Sequence, residues 1–294
     1  MPEHTTSLSD PFADSLEDPS AIESAIVSFV QDRVQSAGAE GVVVAMSGGL
    51  DSTVAAALAV EALGPDRVLG LGLPCHKSDA AAALEAATVA EALGIQFERV
   101  HLRPLLYQFD QTVAAALAPA ESEPSGPAPD RARENAVARF RMLCTYHAAA
   151  RRNRLVLGTA NRSELLLGYV TKHGDGAADL FPLGDRYKTE VRALAEHLGV
   201  PEHVLEKAPT AGFRPGQTDA DDLGASYDEI DPLLYWVVEE NVPVERAADA
   251  VGIDDATARR LLELCSRTAH KRARPPTPGV GRRVRQPTAP DSAE

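Results

Sequence analysis

Lysine is almost missing from this chain of 294 residues: only Lys77, Lys172, Lys188, Lys207 and Lys271 occur, so the 29 basic residues less these five leave 24 arginines. Net positive charge is missing as well. The 43 Asp and Glu bring the formal charge to −14, which excludes a protein whose main business is coating a phosphate backbone, so nucleic acid is not an expected partner. An acidic, lysine-poor composition fits a GC-rich genome or adaptation to high salt, where net negative charge keeps a protein soluble. Cysteine is scarce too. Cys75, Cys144 and Cys265 stand far apart without a CxxC pair, which excludes zinc-knuckle and redox motifs and leaves buried free thiols. No run approaches the ~20 apolar residues of a membrane span, and the N-terminus lacks the basic start and apolar stretch of a signal peptide. The expectation is a cytoplasmic protein without a membrane partner.

Hydrophobic residues make up 44% and charged residues 24%, a globular balance. Residues 1–20 carry acids and no Lys or Arg and are expected to form a flexible acidic segment. A helix follows over 20–36, with Ile22, Ile26, Phe29, Val30 and Val34 at helical spacing. The run Gly41–Met46 is short, apolar and β-branched, as in a strand buried on both faces of a parallel sheet. Helix and strand then alternate: helix 52–63, strand 67–73, helix 78–93, strand 95–102, a proline-rich connector at 120–130, helix 131–152 and strand 154–158. The helix over 131–152 places Val137, Phe140, Leu143, Cys144 and His147 on one face. Right-handed βαβ units of this kind give an α/β fold with a doubly wound parallel sheet of at least four strands flanked by helices. Long Gly- and Asp-rich stretches at 168–186 and 207–225 read as functional loops, and short helices are expected at 187–198, 226–240, 243–250 and 254–268. The tail 275–294 is expected to be disordered.

The chemistry starts where the first strand stops. Ser47-Gly48-Gly49-Leu50-Asp51-Ser52 turns directly into a helix, so successive backbone N–H groups and the positive end of the helix form an anion-binding nest. Gly48 and Gly49 let an anion approach the backbone, and the Ser47 and Ser52 hydroxyls add donors. Asp51 would repel phosphate unless a cation intervened, which implies Mg²⁺ held by oxygen ligands between protein and nucleotide. The alternative is a plain Gly-Gly turn with a Ser or Asp cap. The GxxxxGK[ST] and GxGxxG patterns are both absent, so this phosphate site is of a third kind.

SGGLDS resembles the pyrophosphate-binding loop of the N-type ATP pyrophosphatases, which implies the adenine nucleotide alpha hydrolase-like fold. ENAVARFRM (134–142), GTANRSE (158–164), TKHGDGAAD (171–179), KAPTAGFRPGQTD (207–219) and AHKR (269–272) further resemble the NAD synthetase family, in order, over about residues 20–275. The resemblance implies a single domain over 21–274. It implies that the nicotinate carboxylate of deamido-NAD is adenylated by ATP and then attacked by ammonia, giving NAD, AMP and pyrophosphate. Carried over by motif, Ser47, Gly48, Gly49, Asp51, Ser52, Thr159, Lys188 and Thr210 contact ATP. Arg139, Lys172, Asp179, His270 and Lys271 contact deamido-NAD, and Asp51 and Glu164 ligate Mg²⁺. Asp51, Lys188 and the ammonia-site carboxylate Asp175 are the candidate catalytic residues.

Three of the five lysines fall on these motifs, and a compact ammonium serves phosphate as a mobile point charge in a way that a planar guanidinium does not. Glu164 follows a strand end, where doubly wound folds bind ligands; it also reads as an N-terminal helix carboxylate favoured by the helix dipole. The stretch from Arg267 to Arg285 has seven bases and no acid. It holds His270 and Lys271, and over 282–285 it reads as a basic tail.

Family members that use glutamine carry an additional glutaminase domain, for which the residues before the first helix leave no room, so free ammonia and no fused glutaminase domain are expected. Related enzymes are dimers, which implies a homodimer. The departures are Leu50 in place of a frequent polar residue, the proline-rich connector and the long tail. Rival readings are another AMP-forming member of the superfamily, acting in tRNA thiolation or sulfur transfer, and a catalytically silent nucleotide-binding module.

Overall fold

Four short strands set the frame: β1 (Gly41–Ala45), β2 (Val68–Gly72), β3 (Gln96–Arg99) and β4 (Arg154–Leu157). The structure is a computed structural model and describes residues 8, 11–12, 18–76, 79–117, 130–212, 214 and 216–278. Lys77, most of the acidic segment 1–20, the connector at 120–129 and the tail from 279 lie outside the described residues. All pairs in the sheet are parallel, in the order β3-β2-β1-β4, with Val43 opposite both Leu69 and Val156. Val42, Val43 and Val44 are fully buried, as the β-branched run implies for a central strand. β3 is the edge strand and its residues are mostly exposed.

Helices cover both faces. On one side α1 (Pro19–Ser36), α2 (Leu50–Leu63), α3 (Ala80–Ala92) and α8 (Lys188–His197) share a core with Val42, Val44 and Val68. On the other, α6 (Arg131–Arg151) packs on Val43, Leu69 and Val156, beside α4 (Arg103–Phe109), which runs through a π turn at Asp110–Ala114 into α5 (Ala115–Leu117). β1, β2 and β3 follow one another to one side, and the chain then crosses through α6 to place β4 on the other side of β1. The strand order therefore reverses between β1 and β4, and crevices outside strand ends at such a point bind ligands.

A second apolar cluster joins α7 (Arg162–Leu167), α11 (Tyr227–Leu234), α12 (Val244–Val251) and α13 (Asp255–Arg267) around Leu167, Ile230, Leu233 and Leu261. The short helices α9 (Glu202–Leu205), α10 (Asp219–Leu223) and α14 (Ala269–Arg272) complete the order.

Three expectations need correction. Segment 207–225 is not all loop, because Thr218 caps α10 within it. α2 begins at Leu50 rather than Ser52, so Asp51 sits in its first turn. The buried face of α6 is rotated: Leu143 and His147 are exposed, while Val137, Ala138, Thr145, Ala148 and Ala149 face inward. The cause is Arg141, which turns in because its guanidinium donates to the Leu73 carbonyl and to Asp79, each at 3.2 Å. Thr145 follows by donating to the carbonyl of Arg141 at 2.9 Å.

Candidate active site

The phosphate loop leaves β1 at Ser47 and enters α2 with Gly49 as the cap. Gly48 has φ +73°, and a Cβ there would stand 2.7 Å from the Ala82 carbonyl oxygen; both conformation and space require glycine. The Ser52 hydroxyl donates to the Gly49 carbonyl (3.1 Å) and accepts from the Ser47 N–H (3.3 Å), which holds the loop in its turn.

After β4 the chain runs through Gly158 and Thr159 to Asn161, the cap of α7. Asn161 is fully buried and reciprocates with Glu164: its side chain accepts from the Glu164 N–H at 3.0 Å, and its own N–H donates to the Glu164 carboxylate at 3.3 Å. This capping box leaves the Asn161 amide to donate to Asp51 Oδ1 at 3.0 Å. The two readings of Glu164 thus combine, since one oxygen serves the cap while the other lies 3.9 Å from Lys188 Nζ. Lys188, the first residue of α8, has a side chain only 6% exposed, and its ammonium pairs directly with Asp51 Oδ2.

Burial alone would lower the lysine pKa, but the carboxylates of Asp51 and Glu164 outweigh it and raise it. Glu164 is pushed well above the carboxylate range, first by burial and then by the charge of Asp51. The Lys188 ammonium thus occupies the ground between the two carboxyl groups. Among the described residues no group of three or more His, Cys, Asp or Glu gathers as a metal site. Two oxygen donors with room for others are the set Mg²⁺ takes when substrate phosphates and water complete its shell, so Asp51 and Glu164 fit that ion. Beside them Asp219 is 3% exposed; its Oδ2 accepts from the Tyr227 hydroxyl at 3.0 Å, while Oδ1 is buried without a hydrogen-bond partner.

These residues line a cavity of about 390 Å³ with Ser47, Gly49, Thr210, Lys207, Arg192 and Arg141. Gly48, Ser52 and Thr159 are not among the residues that line it. Lys207 donates to the Gly48 carbonyl at 3.2 Å and pairs with Glu85, tying its own position to the Ser47–Ser52 loop and to α3. Sequence reasoning passed over Asn161, Arg141, Lys207 and Asp219; the Asn-x-x-Glu spacing at 161–164 was a signal for the first.

The other expected residues form a separate group around 168–179. Arg139 donates to the Lys172 carbonyl (3.1 Å), and Asp179 accepts from the Val156 N–H (2.7 Å) and the Tyr146 hydroxyl (3.4 Å). Lys271 donates to the carbonyls of Gly168 (2.6 Å) and Val170 (2.8 Å), while His270 is exposed. Asp175 accepts from the Thr171 N–H at 3.0 Å, and the charges of Arg141 and Lys271 both act on its carboxyl. Arg141 is therefore the residue shared by the two groups, since it also lines the cavity.

The sequence profile of the family described as NAD synthase matches residues 22–275. The NH(3)-dependent NAD(+) synthetase of Hyperthermus butylicus is 42% identical over 265 residues, 89% of this chain and 91% of its own length. Among solved structures, an NMN synthetase from Francisella tularensis gives a TM-score of 0.72 at 33% identity, covering 90% of this chain and 99% of that one. The NH3-dependent NAD synthetase from Campylobacter jejuni gives 0.71 at 27% identity, with 89% and 99% covered. A profile that runs from α1 to beyond α14, over the cavity and both residue groups, places the chain in a lineage: it belongs to the NAD synthase family.

Proposed function

We propose that this protein amidates deamido-NAD with ammonia at the expense of ATP, through an acyl-adenylate, releasing AMP and pyrophosphate. The observation that carries the reading is the placement of Asp51 and Glu164 on either side of the Lys188 ammonium, beneath a phosphate loop at the strand-order switch. A carboxylate is a poor electrophile at neutral pH; adenylation removes its charge and installs AMP as a leaving group. The work left to the protein is positioning and charge neutralisation around attack on the α-phosphate.

In this reading the Ser47–Ser52 loop and the N-terminus of α2 bind the phosphates, with Thr159 and Thr210 beside them. Mg²⁺ held by Asp51 and Glu164 would neutralise phosphate charge and orient the reacting group. Lys188, released from Asp51, then places its ammonium on the phosphates. Arg139, Lys172, Asp179, His270 and Lys271 hold deamido-NAD, and Asp175 takes the proton that ammonium must lose before its nitrogen can attack. Ammonia is the nitrogen source favoured by the NH(3)-dependent relative, which matches over 91% of its length.

A homodimer completes the assembly we propose. α4, α5 and α6 expose Leu105, Tyr107, Leu117 and Leu143, and the Phe109–Phe140 contact (5.2 Å) and the Arg133–Asp110 pair bind these helices side by side. Surfaces of that kind mark interfaces, and a second copy is the occupant. In the described residues no helix is long and apolar enough to cross a membrane, in keeping with a cytoplasmic enzyme.

The likeness to an NMN synthetase favours one competing reading, a mononucleotide acid as acceptor. The protein mixed with Mg·ATP, an ammonium salt and either deamido-NAD or nicotinate mononucleotide is assayed for AMP, pyrophosphate and the amide. NAD formed with AMP in equal amounts is expected. Amide from the mononucleotide alone moves the substrate assignment, AMP without amide points to a thiolation-type acceptor, and neither product makes the chain a silent binding module.

A further inference from the structure

The proposed chemistry uses Asp51, Glu164 and Lys188 but leaves unexplained a fully buried carboxylate on α11. Asp231 is 0% exposed, and it is the only member of its acidic neighbourhood, Asp228, Glu229 and Asp231, that is buried. Oδ1 accepts from the Ser163 hydroxyl at 2.6 Å, while Oδ2 accepts from the Thr189 N–H at 2.8 Å and its hydroxyl at 3.0 Å. The Ser163 oxygen accepts in turn from the Lys188 N–H at 2.9 Å. Ser163 precedes Glu164 in the first turn of α7, and Thr189 follows Lys188 in the first turn of α8. One carboxylate therefore ties together two helix N-termini, each one residue away from a member of the charged centre.

We propose that Asp231 is the positioning residue of this centre, clamping α7 and α8 so that Glu164 and Lys188 are held in register with Asp51. This rests on the proposed role of that centre in binding Mg·ATP. The physical reason is geometric. α7 has six residues and α8 ten, so neither is long enough to be stiffly anchored by its own backbone ladder. α8, which carries Lys188, follows no strand directly, whereas α2 and α7 start just after β1 and β4. A carboxylate that accepts from N–H and hydroxyl groups at both helix starts fixes their separation. The helix dipoles favour a negative charge there, which an apolar residue would not supply. Groups that orient metal-binding side chains from behind typically change metal affinity by ~10–100-fold when removed.

The experiment measures binding of Mg²⁺ with a non-hydrolysable ATP analogue to the full chain by calorimetry, without deamido-NAD, so it is independent of which acid the enzyme amidates. Asp231→Ala is expected to weaken binding by on the order of 10–100-fold, and Ser163→Ala to weaken it less in the same direction. Asp231→Asn keeps an acceptor for Thr189 and is expected to restore part of the loss. Leu233→Ala, on the same helix and also fully buried, lowers the thermal midpoint through a cavity and is expected to leave the affinity as it was. Wild-type affinity in Asp231→Ala, or an equal loss in Leu233→Ala at a matched thermal midpoint, overturns the clamp. If Asp231→Ala yields no folded protein, Ser163→Ala decides: affinity within twofold of wild type then overturns it. Failure of the wild-type chain to bind Mg·ATP at all would instead overturn the reading of the centre.

Discussion

The two halves of the site are built differently. Around Asp51, Glu164 and Lys188 the side chains bond to one another across three helix starts, and the lysine is nearly inaccessible. Around 168–179 the basic side chains bond instead to the protein's own carbonyls: Arg139 to Lys172, and Lys271 to Gly168 and Val170. The first half is preorganised by buried polar contacts, which in a low-dielectric setting hold a fixed geometry. Under the proposed function, backbone acceptors in the second half stand in for ligand oxygens, and a bound polyanion would take their place. On the proposed assignment, phosphate chemistry is served by buried packing and the acid acceptor by a loop.

The comparison breaks first at Asp51. Asp51→Asn keeps the shape and the Asn161 contact but removes a charge from the centre. ATP consumption, followed as pyrophosphate release with saturating acceptor, is expected to fall by at least ~10²–10³-fold. The fold is expected to persist, because Glu164 still faces the ammonium at 3.9 Å. A variant retaining a tenth of wild-type turnover would show that the centre is structural.

A buried carboxylate in the first half also marks its cost in stability. Burial pushes Asp231 up from 3.8 to about 6, against the hydrogen bonds of Ser163 and Thr189, which pull it down. Between these values the native protein keeps a proton that the unfolded chain has released, so stability falls as pH rises and is level, for this group, above the upper value. At ~1.4 kcal/mol per pH unit the loss is about 3 kcal/mol. Urea midpoints of wild type and Asp231→Asn, compared at about pH 4 and about pH 7, are expected to differ in slope, with the variant flatter. Parallel slopes would mean that the carboxylate is solvated in the native state.

Much of the fold was legible because continuous β-branched runs and the Gly-Gly turn leave little choice: β1, β2 and β4 lie where their sequences place them. Elements without such a signal escaped, among them α4 with its Arg103–Pro104 start and π turn, and the five residues of α10. The face of α6 was misread because Arg141 and Thr145, which carry it inward, are polar and count against burial in any periodicity argument. The phosphate loop and Glu164 were visible as motif. Asp231 was hidden because a buried polar residue is recognised by its partners, here Ser163 68 positions away; the cap spacing of Asn161 to Glu164 is local, but its bond to Asp51, 110 positions away, leaves no such trace.

The second half gives smaller effects, and two adjacent residues of α14 sharpen what kind they are. Lys271 already holds the Gly168 and Val170 carbonyls, where Gly168 has φ +62° and no room for a Cβ against Thr268. Lys271→Ala leaves those carbonyls without their charged donor. It is expected to cost ~1.5–3 kcal/mol of stability and to raise KM for deamido-NAD by on the order of tenfold, with KM for ATP unchanged. His270 is exposed and makes no hydrogen bond within the described residues. His270→Ala is expected to raise KM for deamido-NAD a few-fold, about what a single exposed hydrogen bond is worth, while the thermal midpoint stays put. Equal stability losses in the two variants would show that α14 acts as one structural unit. A KM effect confined to His270 would show that the lysine is only a brace for the loop. The expected pattern is a change in stability and KM together for Lys271 and in KM alone for His270, as follows if Lys271 both braces the loop and meets the substrate while His270 only meets the substrate.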